Sequence, residues 1–192
     1  MEDGLFPDVQ RRSYWELLES LVPTEMRRGA MEIDWAQTEA DIGVTLPRSF
    51  KEVSNIFTAG ILGSGIYWSS PTTDRSDYRF DRETLVARSQ IDQFSPFPLF
   101  PAMPGYIVFA CTTVRFELAY RVELRQFGEV ACDAAVSIIE CANEDLEQTG
   151  IEVDEMLYRA ITNVPPLRGE FSSKFHEWFF ADSSFPLFRS VE

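Results

Sequence analysis

The first third of the chain has apolar residues at the spacing of helices. Residues 13–22 show this spacing after a potential N-cap serine and before a proline, which predicts a first helix. Residues 34–43 predict a second helix that begins at an aspartate and ends at a glycine. In residues 44–60 a proline suited to the first helical position precedes an apolar stripe, which predicts a third helix ending at Gly60. We expect the second and third helices to be short and joined by a tight turn.

The pattern changes after Gly60. Residues 61–68 predict a strand or a strand and turn, and residues 69–80 are polar, as expected of a loop. Residues 81–91 predict one more helix. The run 94–106 contains four prolines, so it can be neither a regular helix nor a central strand. We expect an ordered crossing segment whose aromatic residues hold it against the core.

Strand-like segments occupy the middle of the chain. Residues 105–142 are rich in Val, Ile, Phe and Tyr, and polarity alternates over residues 116–122, which predicts a half-buried antiparallel strand. Beyond them, residues 144–150 predict a short helix, 153–161 a further helix and 172–184 an aromatic helix. The chain therefore predicts an α+β fold with N-terminal helices, a central and mostly antiparallel sheet, and C-terminal helices.

Composition favours one domain. The chain has 192 residues, of which 45% are hydrophobic and 14% aromatic, and this excludes disorder over most of its length. We expect a single domain over residues 1–192, with residues 1–30 as a helical extension. No apolar run approaches the ~20 residues of a membrane span, and the first residues are acidic where a secretory signal is basic. These features predict a cytoplasmic protein with no membrane partner.

The charge of the chain is strongly negative and unevenly distributed. With 31 acidic and 17 basic residues the net charge is −14, so the basic surface that direct nucleic-acid binding requires is missing. Residues 126–158 contain nine acids and no Lys or Arg, and Glu144, Asp145 and Glu147 are their central group. This acidic segment is either a solvated face or a surface that attracts a basic partner, and both interpretations stay open.

A binding surface also needs anchors, because an exposed ion pair contributes only ~0–1 kcal/mol. Aromatic residues in or beside the predicted loop at 69–80 are candidates, namely Tyr67, Trp68 and Tyr78. They are either core residues or, together with Asp74 and Asp77, a contact patch for a partner.

No established catalytic motif is present. A Ser-His-Asp or Cys-His site needs a histidine, and the single His176 lies in the predicted aromatic helix, where packing explains it. The three cysteines lack C-x-x-C spacing and lie among apolar residues, which indicates buried thiols rather than disulfides or a metal site. We therefore expect no catalytic residue, no metal and no cofactor. A small hydrolase with a carboxylate site is kept as an alternative.

One segment resembles a known family. Residues 33–65 resemble the opening of the SUKH superfamily, in which an acid-rich helix is followed by a proline-primed helix and a glycine. The aromatic run 175–180 is similar to the C-terminal helix of that family. The chain departs from it in the central strands, where Pro104–Gly105–Tyr106 stands in place of a Gly-Asp pair after Pro-Phe. The matching positions are Glu39, Ile42–Gly43, Leu46–Pro47, Phe50, Phe57 and Gly60.

This resemblance implies a binding protein rather than a catalyst. The superfamily comprises bacterial immunity proteins, which neutralise polymorphic toxins by stoichiometric binding, and relatives that include a yeast cell-wall regulator. Those toxins are often nucleases with basic active surfaces, which an acidic protein complements. The resemblance therefore implies an immunity protein for a basic protein toxin, which it occludes. A regulatory module of the same fold that binds an endogenous protein is the alternative.

Overall fold

The computed structural model describes residues 13–22, 32–57, 59–62, 65–91, 95, 97–112, 116–141, 144–162 and 188–190. Its elements confirm the α+β fold. The helices are α1 (Tyr14–Leu21), α2 (Trp35–Ile42), α3 (Arg48–Ile56), α4 (Arg82–Ile91) and α5 (Val153–Thr162). The strands are β1 (Gly60–Leu62), β2 (Ile66–Trp68), β3 (Gly105–Thr112), β4 (Phe116–Leu124), β5 (Val130–Glu140), β6 (Asp145–Gln148) and β7 (Phe188–Ser190).

The strands form one antiparallel sheet. Strands β1 to β6 pair with their neighbours in chain order, and β7 pairs with the outer edge of β1, so that the sheet runs β6-β5-β4-β3-β2-β1-β7. Consecutive pairing of this kind follows from short connections between antiparallel strands. The predicted mostly antiparallel sheet is confirmed.

The predicted N-caps are found at the starts of the helices. The Glu16 carboxylate accepts a hydrogen bond from the Ser13 N–H at 3.0 Å, and the Asp34 carboxylate accepts one from the Gln37 N–H at 2.9 Å. These contacts satisfy N–H groups that have no partner within the helix. Helix α2 ends as predicted at Gly43, whose φ of 81° is readily adopted by glycine.

Helices α2 and α3 form the expected hairpin. The Glu39 carboxylate on α2 accepts hydrogen bonds from the Leu46 N–H at 2.7 Å and from Lys51 Nζ at 2.9 Å, which ties the turn to α3. The prediction for the ends of α3 was partly wrong. Pro47 is its N-cap rather than its first residue, and the helix ends at Ile56, so that Gly60 opens β1.

The main core lies between the helices and one face of the sheet. Phe50 of α3 is at its centre and is completely buried. Its ring lies 5.0 Å from that of Phe80 and 5.5 Å from that of Phe109, measured between centroids. Helix α5 also covers this face and packs on α1, where the Tyr14 and Tyr158 rings are 5.6 Å apart.

The other face of the sheet carries a smaller apolar cluster. Tyr106, Val108 and Ile139 are buried there against Phe97 and Leu99 of the proline-rich segment. The expectation that aromatic residues hold this segment against the protein is confirmed. It also corrects the prediction of a half-buried strand, because both faces of β4 are covered from Phe116 to Tyr120.

One predicted helix is a strand. Residues 144–150 include strand β6, which pairs with β5 and places Leu146 opposite Ile139. The free edge of β5 offers backbone hydrogen bonds and an apolar neighbour, and these outweigh the helical preference of Glu, Leu and Gln. The predicted aromatic helix 172–184 and the N-terminal residues 1–12 lie outside the described residues. None of the described helices is both long enough and apolar enough to cross a bilayer.

Candidate functional site

Two half-buried tyrosines and two exposed aspartates among the predicted contact residues lie on or beside one loop. Tyr67 of β2 and Tyr78 of the short 3-10 turn Ser76–Tyr78 have ring centroids 5.9 Å apart. The guanidinium of Arg75 lies 5.5 Å from the centre of the Tyr78 ring. Asp74 and Asp77 are exposed beside them. We call these five residues the tyrosine patch.

Trp68 does not belong to this patch, and its prediction as a contact residue was wrong. Neighbouring residues of a strand point to opposite faces, so Tyr67 and Trp68 cannot both face a partner. Trp68 has no exposed surface, and its ring packs against Phe50 and Phe109. It is a core residue.

Hydrogen bonds near the end of β2 and to α4 hold the loop that carries the tyrosine patch. The Ser70 N–H donates to the Tyr78 carbonyl at 2.9 Å, and Arg88 Nη2 of α4 donates to the Asp77 carbonyl at 2.8 Å. Partial burial and the neighbouring Tyr67 raise the pKa of the Tyr78 hydroxyl. A groove of about 530 Å³ lies between the 3-10 turn and α4, and Asp77 and Arg88 are among its lining residues.

The acidic candidates lie on a separate surface. Glu144 and Asp145 are exposed and Glu147 is half-buried, all at β6 and the turn before it. Strands β5, β4 and β3 separate β6 from β2, and four strand spacings amount to about 19 Å. The predicted site residues are therefore divided between two surfaces, the tyrosine patch and the β6 edge.

A cleft between three helices was not predicted. It has a volume of about 340 Å³ and lies among the first turns of α1, α3 and α5. Four acids line it, of which Glu152, Asp154 and Glu155 belong to the acid-rich segment and Glu52 comes from α3. We call it the helical cleft. The remaining lining residues are Ser13, Tyr14, Trp15, Arg48 and Ser49.

Asp154 is the most buried acid of the helical cleft. Its side chain is in the first turn of α5 and only 7% of the residue is exposed. Burial raises the pKa of this carboxyl group, although hydrogen bonds from the backbone N–H groups of Glu155 and of Asp154 itself act in the opposite direction. The Asp154 carboxyl group has therefore lost much of its hydration.

Phe127 is a second feature that the sequence did not reveal. It lies in the turn between β4 and β5, where the Gly128 N–H donates to the Arg125 carbonyl at 3.3 Å. Its side chain is fully exposed and its φ is +67°, a conformation that costs most L-residues about 1 kcal/mol or more. Leu124, three residues earlier in the chain, is also 67% exposed. Exposed apolar groups of this kind are suited to a protein interface.

We expect Phe127→Asn to stabilise the protein by about 0.5 kcal/mol, because asparagine adopts positive φ more readily and no burial is lost. Chemical denaturation of the two proteins measures this difference. Phe127→Ala is the control, since it removes the exposed ring without favouring positive φ. Equal stabilities of the Asn and Ala variants would contradict the assignment of strain to this turn.

The cysteines of the described residues are buried or half-buried. Burial raises the pKa of the Cys132 thiol, which keeps it protonated and unreactive, and Cys111 and Cys141 are half-buried. No group of three His, Cys, Asp or Glu side chains in the described part could hold a metal ion. His176 lies outside that part.

Comparison with known proteins returns no relative. No family model matches the chain, and no curated protein and no solved structure matches it.

Proposed function

We propose that this chain is a non-enzymatic binding protein that neutralises a basic protein toxin, as the SUKH immunity proteins it resembles do. The distribution of acids is the observation that carries the proposal. Glu144, Asp145 and Glu147 occupy the β6 edge, and Glu152, Asp154 and Glu155 follow at the start of α5, with no Lys or Arg between residues 126 and 158. These acids lie in or directly before β6 and α5, which follow one another in the chain, and Glu144, Asp145 and Glu152 are exposed.

Exposed acids of this kind change the rate of association with a partner more than they change the affinity of the complex. A negative surface accelerates association with a basic protein, while exposed ion pairs add little affinity. The affinity then comes from apolar anchors, for which the exposed Phe127 and Leu124 and the half-buried rings of the tyrosine patch are candidates. Neutralisation requires only that the complex covers the working surface of the toxin, so no turnover and no cofactor are involved.

Several residues of the segment that resembles SUKH proteins have packing or turn functions in and beside the α2–α3 hairpin. Phe50 and Phe57 are buried, Gly43 ends α2, and Glu39 joins the two helices. A scaffold of this kind supports a binding surface elsewhere on the fold. A regulatory module that binds an endogenous protein uses the same surfaces and is the alternative.

If the protein is a hydrolase, the helical cleft is the best candidate for its carboxylate site. An acid catalyst needs a carboxyl group with a raised pKa, and Asp154 is such a group. Turnover of a small substrate that Asp154→Asn abolishes would support this alternative and exclude the proposed function.

Co-expression tests the proposed function. A toxin gene beside the gene of this protein is expressed in a test cell with or without this chain. The expected result is that growth is restored and that the two purified proteins form a one-to-one complex. Continued killing at full expression of this chain would overturn the proposal, and the endogenous partner of the regulatory alternative would then have to be sought.

A further inference from the structure

We infer that one end of the sheet, where the β4–β5 turn lies beside the start of β3, is the contact surface for the partner, and that the Phe127 ring inserts into an apolar pocket of that partner. That the partner is a basic toxin rests on the proposed function. The choice of this surface rests on the exposure, position and backbone conformation of three apolar residues, Met103, Leu124 and Phe127.

Four large apolar residues of the described part are exposed, and three of them lie at this end of the sheet. Gly105 of β3 pairs with Val122 of β4. Met103 precedes Gly105 by two residues and Leu124 follows Val122 by two, so both lie where adjacent strands end. Phe127 is in the turn after β4. We call Met103, Leu124 and Phe127 the apolar tip, and exposed apolar residues that converge from separate segments are typical of an interaction site.

The position of Phe127 is unfavourable in the protein alone. Its side chain is fully exposed, and its φ of 67° and ψ of 15° are adopted by asparagine and glycine at a lower cost. Residues that are held in unfavourable backbone conformations cluster at binding sites, where the surrounding structure maintains them. A phenylalanine ring that becomes buried only in a complex accounts for both the exposure and the conformation.

The turn that carries this ring is held by hydrogen bonds. The Arg125 N–H donates to the Glu129 carbonyl at 2.7 Å, and the Gly128 N–H donates to the Arg125 carbonyl at 3.3 Å. The Thr45 N–H, from the turn between α2 and α3, donates to the Val130 carbonyl at 2.9 Å and so fixes the start of β5. A turn that is already formed loses little conformational entropy when its side chain is bound, which favours affinity.

The charges of the turn indicate what kind of pocket receives the ring. Residues 125–129 contain one arginine and one glutamate, so the turn is neutral. Both charged side chains are bonded to the protein: Arg125 Nη2 donates to the Cys132 carbonyl at 2.9 Å, and the Thr45 hydroxyl donates to Glu129 Oε1 at 3.3 Å. The complement of this turn is therefore an apolar pocket, and a cavity of about 150 Å³ accommodates a ring of the size of benzene.

Charge and area favour a basic protein as the occupant over a second copy of the chain. The net charge of −14 makes two copies repel one another and makes an anionic membrane repel the chain, whereas a basic protein is attracted. Two apolar tips that meet across a twofold axis would bury only a few hundred Å² on each copy, and a stable dimer buries about 800 Å² per partner. A concave surface of another protein can enclose the projecting tip.

Dissociation of the complex with the toxin from the co-expression test measures the contribution of Phe127. Phe127→Ala should dissociate about thirtyfold faster, equivalent to about 2 kcal/mol, and should associate at nearly the wild-type rate because no charge is changed. Phe127→Asn should weaken the complex equally although we expect it to be more stable than the wild type, so that unfolding cannot explain the loss. The matched control is Leu21→Ala on α1, which removes a 42% exposed apolar side chain elsewhere and should leave dissociation unchanged.

Photochemical cross-linking locates the contact directly. With p-benzoylphenylalanine in place of Phe127, irradiation of the full chain with the toxin should link the two proteins, and mass spectrometry should find the link among apolar residues of the toxin. The same group in place of Leu21 should not form a link.

The outcomes separate this inference from the proposed function. If the toxin is bound and neutralised but both Phe127 variants dissociate as slowly as the wild type, or no link forms at position 127, the inference is wrong and the proposed function is unaffected. If the wild-type chain neither binds the toxin nor protects cells, both proposals fail. If sedimentation shows a dimer of this chain that Phe127→Ala separates, the occupant is a second copy and the inference is overturned.

Discussion

Phe50→Ala is expected to lower the free energy of unfolding by about 4 kcal/mol. Phe50 is completely buried, and its ring is surrounded by other aromatic rings, so alanine would leave a cavity whose walls cannot close. Losses of this size take a large share of the 5–15 kcal/mol that stabilises a typical domain. The rings around Phe50 are those of Trp35, Trp68, Phe80, Phe109 and Tyr120.

Urea unfolding followed by circular dichroism measures this loss. Phe50→Leu preserves most of the volume and should cost only about 1–2 kcal/mol. Leu124→Ala is the surface control, because Leu124 is 67% exposed, and its effect should stay within about 0.5 kcal/mol. A loss below about 1 kcal/mol for Phe50→Ala would mean that Phe50 is not at the centre of the core.

The elements that the sequence predicted well are those with local signals. Ser13, Asp34 and Asp81 precede helices as capping residues do, and Gly43 ends one. In each case the contact that the cap makes spans only a few residues, as in the 2.8 Å hydrogen bond from the Thr84 N–H to Asp81 Oδ1. Such contacts are decided within one segment and can be recognised without the rest of the fold.

The errors concern features that depend on a neighbouring element. Strand β6 exists because β5 offers it an edge, and no pattern within residues 144–150 indicates that edge. Tyr67 and Trp68 are equally aromatic, and only the position of β2 in the sheet decides which of them is buried. An exposed Phe127 is contrary to the usual burial of phenylalanine, so hydrophobicity alone predicts the wrong location.

The candidate sites also differ in whether their residues are close together in the sequence or only in the folded protein. The two tyrosines and two aspartates of the tyrosine patch could be named as candidates because they lie within twelve residues of the chain, from Tyr67 to Tyr78. The helical cleft could not, since Trp15, Glu52 and Asp154 come from three distant helices that meet only in the folded protein. The count of acids in residues 126–158 was the one signal in the sequence that pointed to it.

Reversing the charge of the β6 edge is expected to slow association with the toxin about fivefold at low salt. The change is Glu144→Lys with Asp145→Lys, both of which are exposed. Glu144 has a φ of +57°, and lysine bears the same cost there as glutamate, so the fold should be unaffected. The dissociation rate should change little, because exposed charges act mainly on the encounter of the two proteins.

Stopped-flow measurements at about 20 mM and about 500 mM salt test this expectation, because screening shortens the reach of surface charges. The wild-type and reversed proteins should associate at similar rates at the higher salt concentration. Glu32→Lys with Asp41→Lys is the matched control, since it changes the net charge equally but lies on and before α2. If the control slows association as much as the β6 variant does, then the total charge of the protein attracts the toxin and the position of the acids is irrelevant. If neither variant nor salt has an effect, the acids serve solvation alone.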